Sequence, residues 1–431
     1  MPENFRNSLA LSINKRFFYG WMMVIVAMAG YFASGPGQSH MFSVFILPLS
    51  DDLGLDQTDI SLAYAVATLG AAFGLPYIGR LIDRYGMRRI VLVTTTLLGF
   101  AAIAFGQVQG LIMLGLLFAA LRFLGQGTLM LSSSNLVAQW FNAKRGFAAS
   151  LMALVFSASI ALHPPAAQWL IDQVGWREAW LWLGIATWLL YLPLVYVLVQ
   201  NKPEDIGLRP DGETVGESGH PGQQSDAEIG LTSKEALRSK AFWIIAISLS
   251  SFSMLVTALF FYQVSIFQSQ GLSEQIAARV FPISAIAMVC CMPVFGRMLD
   301  RFPTKPLFAA AMLMMTASMT SLVLVQDLAT AILYAVIFGM NNAAVHALIG
   351  YVWPRYFGRK HLGSIQGTAA TIMVVGASIG PLPFGAAYDA TGSYQFALLT
   401  LSLLPIACAI AVLLMRPPDL RPKASQAASI A

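Results

Sequence analysis

Long apolar runs dominate this chain, and short polar loops cut them at regular intervals. A membrane-crossing helix needs roughly 20 apolar residues. Twelve runs fit: 17–48, 57–81, 87–107, 111–138, 146–171 and 176–200, then 241–268, 276–299, 305–326, 329–356, 362–388 and 393–415. Between the sixth and seventh lies 201–240, rich in Gly, Pro, Ser, Asp and Glu and without an apolar period. It reads as a flexible linker that ends in a short amphipathic helix. The pattern predicts an all-α membrane protein with twelve transmembrane helices in two pseudo-symmetric six-helix bundles. These are 17–200 and 241–416, flanked by an N-terminal segment 1–16 and a tail 417–431.

Composition agrees with the pattern. The 431 residues are 57% hydrophobic and 11% charged, whereas soluble domains carry about 25% charged residues. The bilayer is therefore an expected partner, and the net charge of +5 reflects basic loops rather than nucleic-acid binding. Those loops alternate. Arg80, Arg84, Arg88, Arg89, Lys144, Arg297, Arg301, Lys305 and Arg355 fall on one face, and the other holds only Arg177 and Arg279. Positive charge marks the cytoplasmic side, so both termini are expected inside, with the plasma membrane (a bacterial inner membrane) as the location. Cys290, Cys291 and Cys408 lie in apolar runs and read as buried thiols, not as a disulfide or metal framework.

One polar loop organises the chain: Gly79-Arg80-Leu81-Ile82-Asp83-Arg84-Tyr85-Gly86-Met87-Arg88-Arg89. A weaker copy returns as Gly296-Arg297-Met298-Leu299-Asp300-Arg301-Phe302. Recurrence of such a loop at the same place in two apolar halves argues for a duplicated membrane domain, with a binding site between the halves near the midplane. Other pieces repeat as well. Ser43-Val44-Phe45 matches Ser265-Ile266-Phe267, and Trp140-Phe141-Asn142-Ala143-Lys144-Arg145 matches Tyr356-Phe357-Gly358-Arg359-Lys360. The loop pattern G-x-L-x-D-R-x-G-x-R-R resembles the signature between the second and third helices of the major facilitator superfamily. That resemblance implies gating roles for Gly79, Asp83, Arg84, Gly86 and Arg88, echoed by Gly296, Asp300 and Arg301, which would tie the halves together in the outward-open state.

No Walker motif, H-E-x-x-H or G-x-S-x-G is present. The expectation is a carrier driven by a gradient, not an enzyme, with no cofactor. Arg122 is the one charged residue deep inside a run, where a charge costs about 2.5–3.5 kcal/mol even on the lenient insertion scale. It must face protein or a watery cavity. Its stretch, Arg122-Phe123-Leu124-Gly125-Gln126-Gly127, resembles the superfamily's fourth-helix motif. Arg122 reads either as an anion binder and controller of a proton site, or as a structural arginine bonded to helix carbonyls. His40 follows the break Ser34-Gly35-Pro36-Gly37-Gln38, whose carbonyls could meet a ligand, and a histidine can exchange a proton near neutral pH. His163, before Pro164-Pro165, either takes part in proton coupling or caps carbonyls freed by the prolines. His346 is a third proton-coupling candidate, while His220 and His361 fall in solvated loops. Tyr31, Tyr64, Asn135, Tyr262, Gln263, Asn341 and Asn342 are candidate polar contacts for a substrate. No Asp or Glu lies within a run away from its ends. A cavity with one arginine, several histidines and no acid favours an anion.

Within the superfamily the chain is similar to the monocarboxylate transporters and the oxalate:formate antiporters. The resemblance rests on Phe18-Tyr19-Gly20-Trp21, on Trp140-Phe141-x-x-Lys144-Arg145-x-x-Ala148, and on Asn201-Lys202-Pro203-Glu204-Asp205-Ile206-Gly207-Leu208. His40 stands where proton-coupled members usually carry a lysine. The eighth-helix arginine of those families is missing, since Val289-Cys290-Cys291-Met292-Pro293 holds no base. The resemblance implies alternating-access transport of a small organic anion, a monocarboxylate, with a proton, by a protein that works as a monomer. A drug efflux antiporter and a non-transporting membrane sensor are the alternatives. The first fits poorly, because Ser159-Ile160-Ala161-Leu162-His163-Pro164-Pro165 stands where efflux carriers show G-x-x-x-G-P-x-x-G-G.

Overall fold

The computed structural model describes residues 3–141, 144–212, 231–358 and 362–418. His220, Arg359, Lys360 and His361 lie outside the described residues, as does the side chain of Asp83. Every regular element described is helical. Among the described residues, ten helices are long and apolar enough to cross a membrane. Two features bring the spans to twelve. The first span is broken into Gly20–Ala33, Gly35–Gly37, Ser39–Phe42 and Ile46–Leu53. The continuous tract Arg145–Leu198 is two spans, 5 and 6, which turn at Gly175 with φ 82°, a conformation that glycine adopts without a Cβ penalty.

The remaining spans are span 2, Gln57–Tyr85; span 3, Met87–Phe105; span 4, Leu111–Trp140; span 7, Lys240–Ser269; span 8, Glu274–Arg301; span 9, Thr304–Val323; and span 10, Leu328–Phe357. Span 11 runs Leu362–Ile379 and Pro381–Thr391, interrupted where Pro381 lacks an N–H, and span 12 runs Gln395–Leu401 and Leu403–Leu414. Sequence and structure agree on every span to within a few residues. The main difference is span 1, which reaches Leu53 before Gly54 ends it in a left-handed cap with φ 60°. The linker does end in a short helix, Ser233–Arg238, opened by a capping box between Thr232 and Glu235.

The spans place the Arg80–Arg89 loop and the chain's first described helix, Glu3–Asn14, on one face, called here the basic face. Gly54, Gly175, Gly271 and Gly392 mark turns on the opposite, far face. Spans 1 and 4 meet without a gap in the middle of the membrane. A Cβ on Gly37 would stand 2.3 Å from the Leu121 carbonyl oxygen, and one on Gly125 would stand 3.0 Å from the Gly37 Cα. Both obstacles are backbone. Gly37→Ala is therefore expected to destabilise by about 1–3 kcal/mol through overpacking. A lower apparent melting temperature of the purified protein would show it; an unchanged one would mean that the spans part freely here.

The cysteines differ from expectation in one respect. Cys408 is buried, but Cys291 is only half-buried and Cys290 is exposed. Helical periodicity turns one of two adjacent residues outward even inside an apolar run.

Candidate functional site

Span 4 changes character at Arg122. Residues Arg122–Leu129 form a π-helical segment between the α-helices Leu111–Leu121 and Met130–Trp140. Such wide turns cost helix stability and concentrate at functional sites. The turn sets the arginine against the break in span 1. Arg122 is 4% exposed. Its Nε–H donates to Thr68 Oγ1 at 3.2 Å and its Nη1–H to the Gly37 carbonyl at 3.0 Å, and the guanidinium lies 4.9 Å from the centre of the Tyr64 ring. The carbonyl freed by the span 1 break is thus taken by Arg122 rather than left open for a ligand. Nη2 has no partner among the described residues. Nor does any carboxylate: the one ion pair described joins Arg177 to Asp52 on the far face, at 2.5 Å. Burial of a cation is tolerated only when other groups compensate it. Here two neutral acceptors and a π face do so, and no full negative charge.

Arg122 lines a cavity of about 210 Å³ between spans 2, 4 and 11. Thr68, Gln126 and Arg122 are its polar lining, and Ala71, Ala72, Leu75, Val374 and Ala377 supply much of the rest. Toward the far face, rings seal it. Tyr64 packs on Phe261 at 4.6 Å and Phe42 on Phe118 at 4.9 Å between centroids.

Beyond the rings lies a polar lock that the sequence reading missed. Asp389, at the far end of span 11, accepts from the backbone N–H groups of Gln57 (3.2 Å) and Thr58 (2.7 Å) and from the Thr58 hydroxyl (2.5 Å). It thereby caps span 2, whose own preceding residue, Asp56, makes no side-chain cap. Tyr262 bonds Ser61 and the Gln57 carbonyl, and Tyr394 bonds the Gln57 side chain. Val264 N–H donates to Ser43 Oγ at 3.1 Å, so the matching ends of spans 1 and 7 touch. Gln168 of span 5 donates to Glu274 of span 8 at 2.8 Å. Among the described residues, each side-chain hydrogen bond from spans 1–6 to spans 7–12 lies at the far face or mid-membrane, and none at the basic face. The protein is closed at the far face.

The histidines form a separate group. His40 is 2% exposed and does not line the Arg122 cavity. Its Nε2 is 3.4 Å from Ser159 Oγ, and its ring meets Phe156 of span 5 and Phe260 of span 7 edge-on. The same hydroxyl lies 2.9 Å from His163 Nδ1, which also sits 3.0 Å from the Ser159 carbonyl. A carbonyl only accepts, so His163 Nδ1 carries a proton. The carbonyl it takes is Ser159's, not one of those freed by the prolines, which would be Ile160 and Ala161; the capping reading is corrected by that one step. His346 Nδ1 bonds the Asn342 carbonyl of its own helix at 2.9 Å, away from this pair.

The remaining candidates scatter. Tyr31 bonds Ser134 at 2.8 Å, linking spans 1 and 4 on the basic side of Arg122. Asn135, half-buried, follows in the same helix. Tyr262 belongs to the far-face lock. Gln263 accepts from Tyr334 at 3.3 Å. Asn341 donates to the Ala311 carbonyl of span 9 at 2.7 Å and Asn342 to Phe338 of its own helix at 2.8 Å. These two amides donate to helix carbonyls, which accept on their second lone pair.

A family model described as Major Facilitator Superfamily matches residues 21–381 and, again, 265–430. The chain belongs to the major facilitator superfamily. Its relatives carry several kinds of cargo. Monocarboxylate transporter 4 of Rattus norvegicus is 24% identical over 369 residues, 82% of this chain and 74% of that protein. The 4-hydroxybenzoate transporter PcaK of Acinetobacter baylyi is 25% identical over 185 residues, 42% of this chain and 40% of that protein. An uncharacterised transporter of the same type, YfiU of Bacillus subtilis, is 27% identical over 161 residues, 37% of this chain and only 29% of its own length. A crystal structure of a D-xylose–proton symporter has the same fold, with TM-score 0.70 at 16% identity over 91% of this chain and 97% of that one.

In this major facilitator chain no described contact ties Gly79, Arg84 or Gly86 of the loop motif to the other half. Gly79 has open space around it, and Gly86 turns the chain with φ 84°. Arg84 lies over the neighbouring Tyr85 at 5.2 Å, and Arg88 donates to the Tyr196 carbonyl at 2.8 Å. Gly296 also has open space, and Asp300 and Arg301 are exposed. With the far face closed, nothing described joins Gly79, Arg84, Gly296, Asp300 or Arg301 across the molecule.

Proposed function

We propose that the protein carries a small monocarboxylate across the plasma membrane together with a proton, by alternating access. The observation that carries this reading is Arg122, a buried guanidinium with an unpaired Nη2 at the wall of a small cavity. A carboxylate there forms the full ion pair that the protein leaves unmade. One cation suits one carboxylate, since a second negative charge would be buried without a partner. The cavity's alanine and leucine lining suits a short apolar body. In this reading the basic face is cytoplasmic, the structure is the inward-facing state, and the loop motif engages the other half when the molecule turns outward.

His40, Ser159 and His163 supply the proton path. Ser159's hydroxyl bridges the two imidazoles and can pass a proton by donating to one as it accepts from the other. His40→Ala is expected to retain carboxylate exchange at equal pH on both sides of the membrane while losing stimulation by an inside-alkaline gradient. Uptake of labelled short carboxylates by proteoliposomes, with and without that gradient, tests both parts. A gradient response that survives His40→Ala removes this histidine from the coupling, and no flux of any monocarboxylate by folded protein removes the substrate.

A further inference from the structure

A cavity of about 500 Å³ opens on the basic face where spans 9 and 10 meet the chain that leaves span 12. It lies entirely among spans 9–12, away from the Arg122 cavity, and transport as proposed makes no use of it. Lys305 and Arg355 line it, with Thr304, Tyr356, Pro303 and Pro417. Among the described residues neither cation has a carboxylate partner. Thr304 and Tyr356 are each 8% exposed, so the two cations stand over a polar, buried floor. Span 9 begins here, and Pro303 gives its first turn no side-chain cap. Its unbonded N–H groups and the positive end of its dipole therefore add to the field of the two side chains.

We propose that this cavity is a binding site for the phosphate headgroup of an anionic phospholipid. A phosphate diester brings one negative charge and two free acceptor oxygens, which fits one lysine, one arginine and an uncapped helix start. The level in the membrane fits as well. Lys305 lies in the first turn of span 9, Arg355 in the last turn of span 10, and Pro417 three residues past the end of span 12. All three stand where a helix leaves the hydrocarbon, the level of lipid phosphates. Leu414, the last residue of span 12, is 77% exposed, so an apolar surface that an acyl chain can follow lies close to the cavity. A free phosphate ester would have no use for that surface.

The test uses the purified full chain in a neutral detergent. Thermal unfolding is followed by tryptophan fluorescence while phosphatidylglycerol, phosphatidylcholine or water-soluble glycerol 3-phosphate is added, and native mass spectrometry counts phosphatidylglycerol retained by the wild type. Phosphatidylglycerol alone should raise the midpoint in a saturable way. The Lys305→Gln/Arg355→Gln protein should show an apparent dissociation constant about thirtyfold higher, from about a fivefold loss at each cation. Lys234→Gln/Arg238→Gln removes the same charge from the exposed linker helix and should leave the affinity unchanged. Equal stabilisation by phosphatidylcholine, an equal loss in the linker variant, or no lipid retained on the wild type each overturns the proposal. If glycerol 3-phosphate reproduces the whole effect, the ligand is a soluble phosphate ester and the lipid assignment is wrong. Should the double variant fail to fold, Arg355→Gln alone and the wild-type mass measurement decide.

Discussion

Arg122→Ala is expected to leave a folded protein whose carboxylate uptake falls at least about thirtyfold. The magnitude follows from truncating one partner of a buried charged pair, which costs about 2–5 kcal/mol, the lower figure corresponding to roughly thirtyfold. The variant also strips a donor from the Gly37 carbonyl, so some stability is lost with the function. The two losses separate through Arg122→Lys. A lysine keeps the charge but has no planar fork, so it cannot reach Thr68 and Gly37 while lying over Tyr64. It should recover part of the uptake if charge attracts the substrate. If Arg122 merely ties spans 1, 2 and 4 together, lysine and alanine should transport alike once corrected for the amount of folded protein, and the anion-binding reading fails.

The second large effect is expected at the far face. Asp389→Ala removes three bonds to the start of span 2. Hydrogen bonds to a charged group are worth about 1.5–3 kcal/mol each. Even with water replacing much of that, a net loss near 3 kcal/mol shifts the balance between the closed and open far face by about a hundredfold. Ser61, buried within the lock against Tyr262, reports the opening when Asp389-intact and Asp389→Ala proteins carrying the same Ser61→Cys change are compared. In a background without Cys290, Cys291 and Cys408, Ser61→Cys should react with a membrane-impermeant thiol reagent far faster when Asp389 is alanine. Gly385 offers an independent route to the same state. A Cβ there would stand 2.7 Å from both the Gln57 carbonyl and the Tyr262 hydroxyl, so Gly385→Ala should also pry the face open. Unchanged labelling in both variants would show that the ring packing beneath, not the lock, holds the face shut.

What could be read from the sequence, and what could not, divides along a physical line. Span positions follow from local hydropathy, so the linker and the broken first span could be read directly. The loop motif could be read because its glycines and charges are contiguous. Arg122 stood out because a lone charge in an apolar run needs an explanation. The π-helical segment beside it left no trace, since one extra residue in a turn barely disturbs an apolar pattern that surrounds the helix. The lock was equally hidden. Gln57 and Asp389 are 332 residues apart, and each looks locally like an ordinary span-end residue. The place of Tyr262 in the seventh span suggests a substrate contact; that its hydroxyl bonds Ser61 and the Gln57 carbonyl has no local signal. Asn341 and Asn342 looked like cavity residues because amides are rare in spans, and both spend their N–H groups on helix carbonyls. His40 and His163 each stand out in the sequence, but nothing there marks Ser159 as the serine that joins them. A serine in a small-residue helix carries no signal until the fold brings two imidazoles to it.

Equilibrium binding to the purified protein is the most direct test of the central claim that Arg122 holds the substrate's carboxylate. A labelled short monocarboxylate found by the uptake screen is compared with its uncharged amide of the same shape, on the wild type and on Arg122→Gln. The account expects the acid to bind the wild type, to bind Arg122→Gln at least about thirtyfold more weakly, and the amide to bind both proteins equally weakly. Acid binding that is undiminished in Arg122→Gln would contradict it.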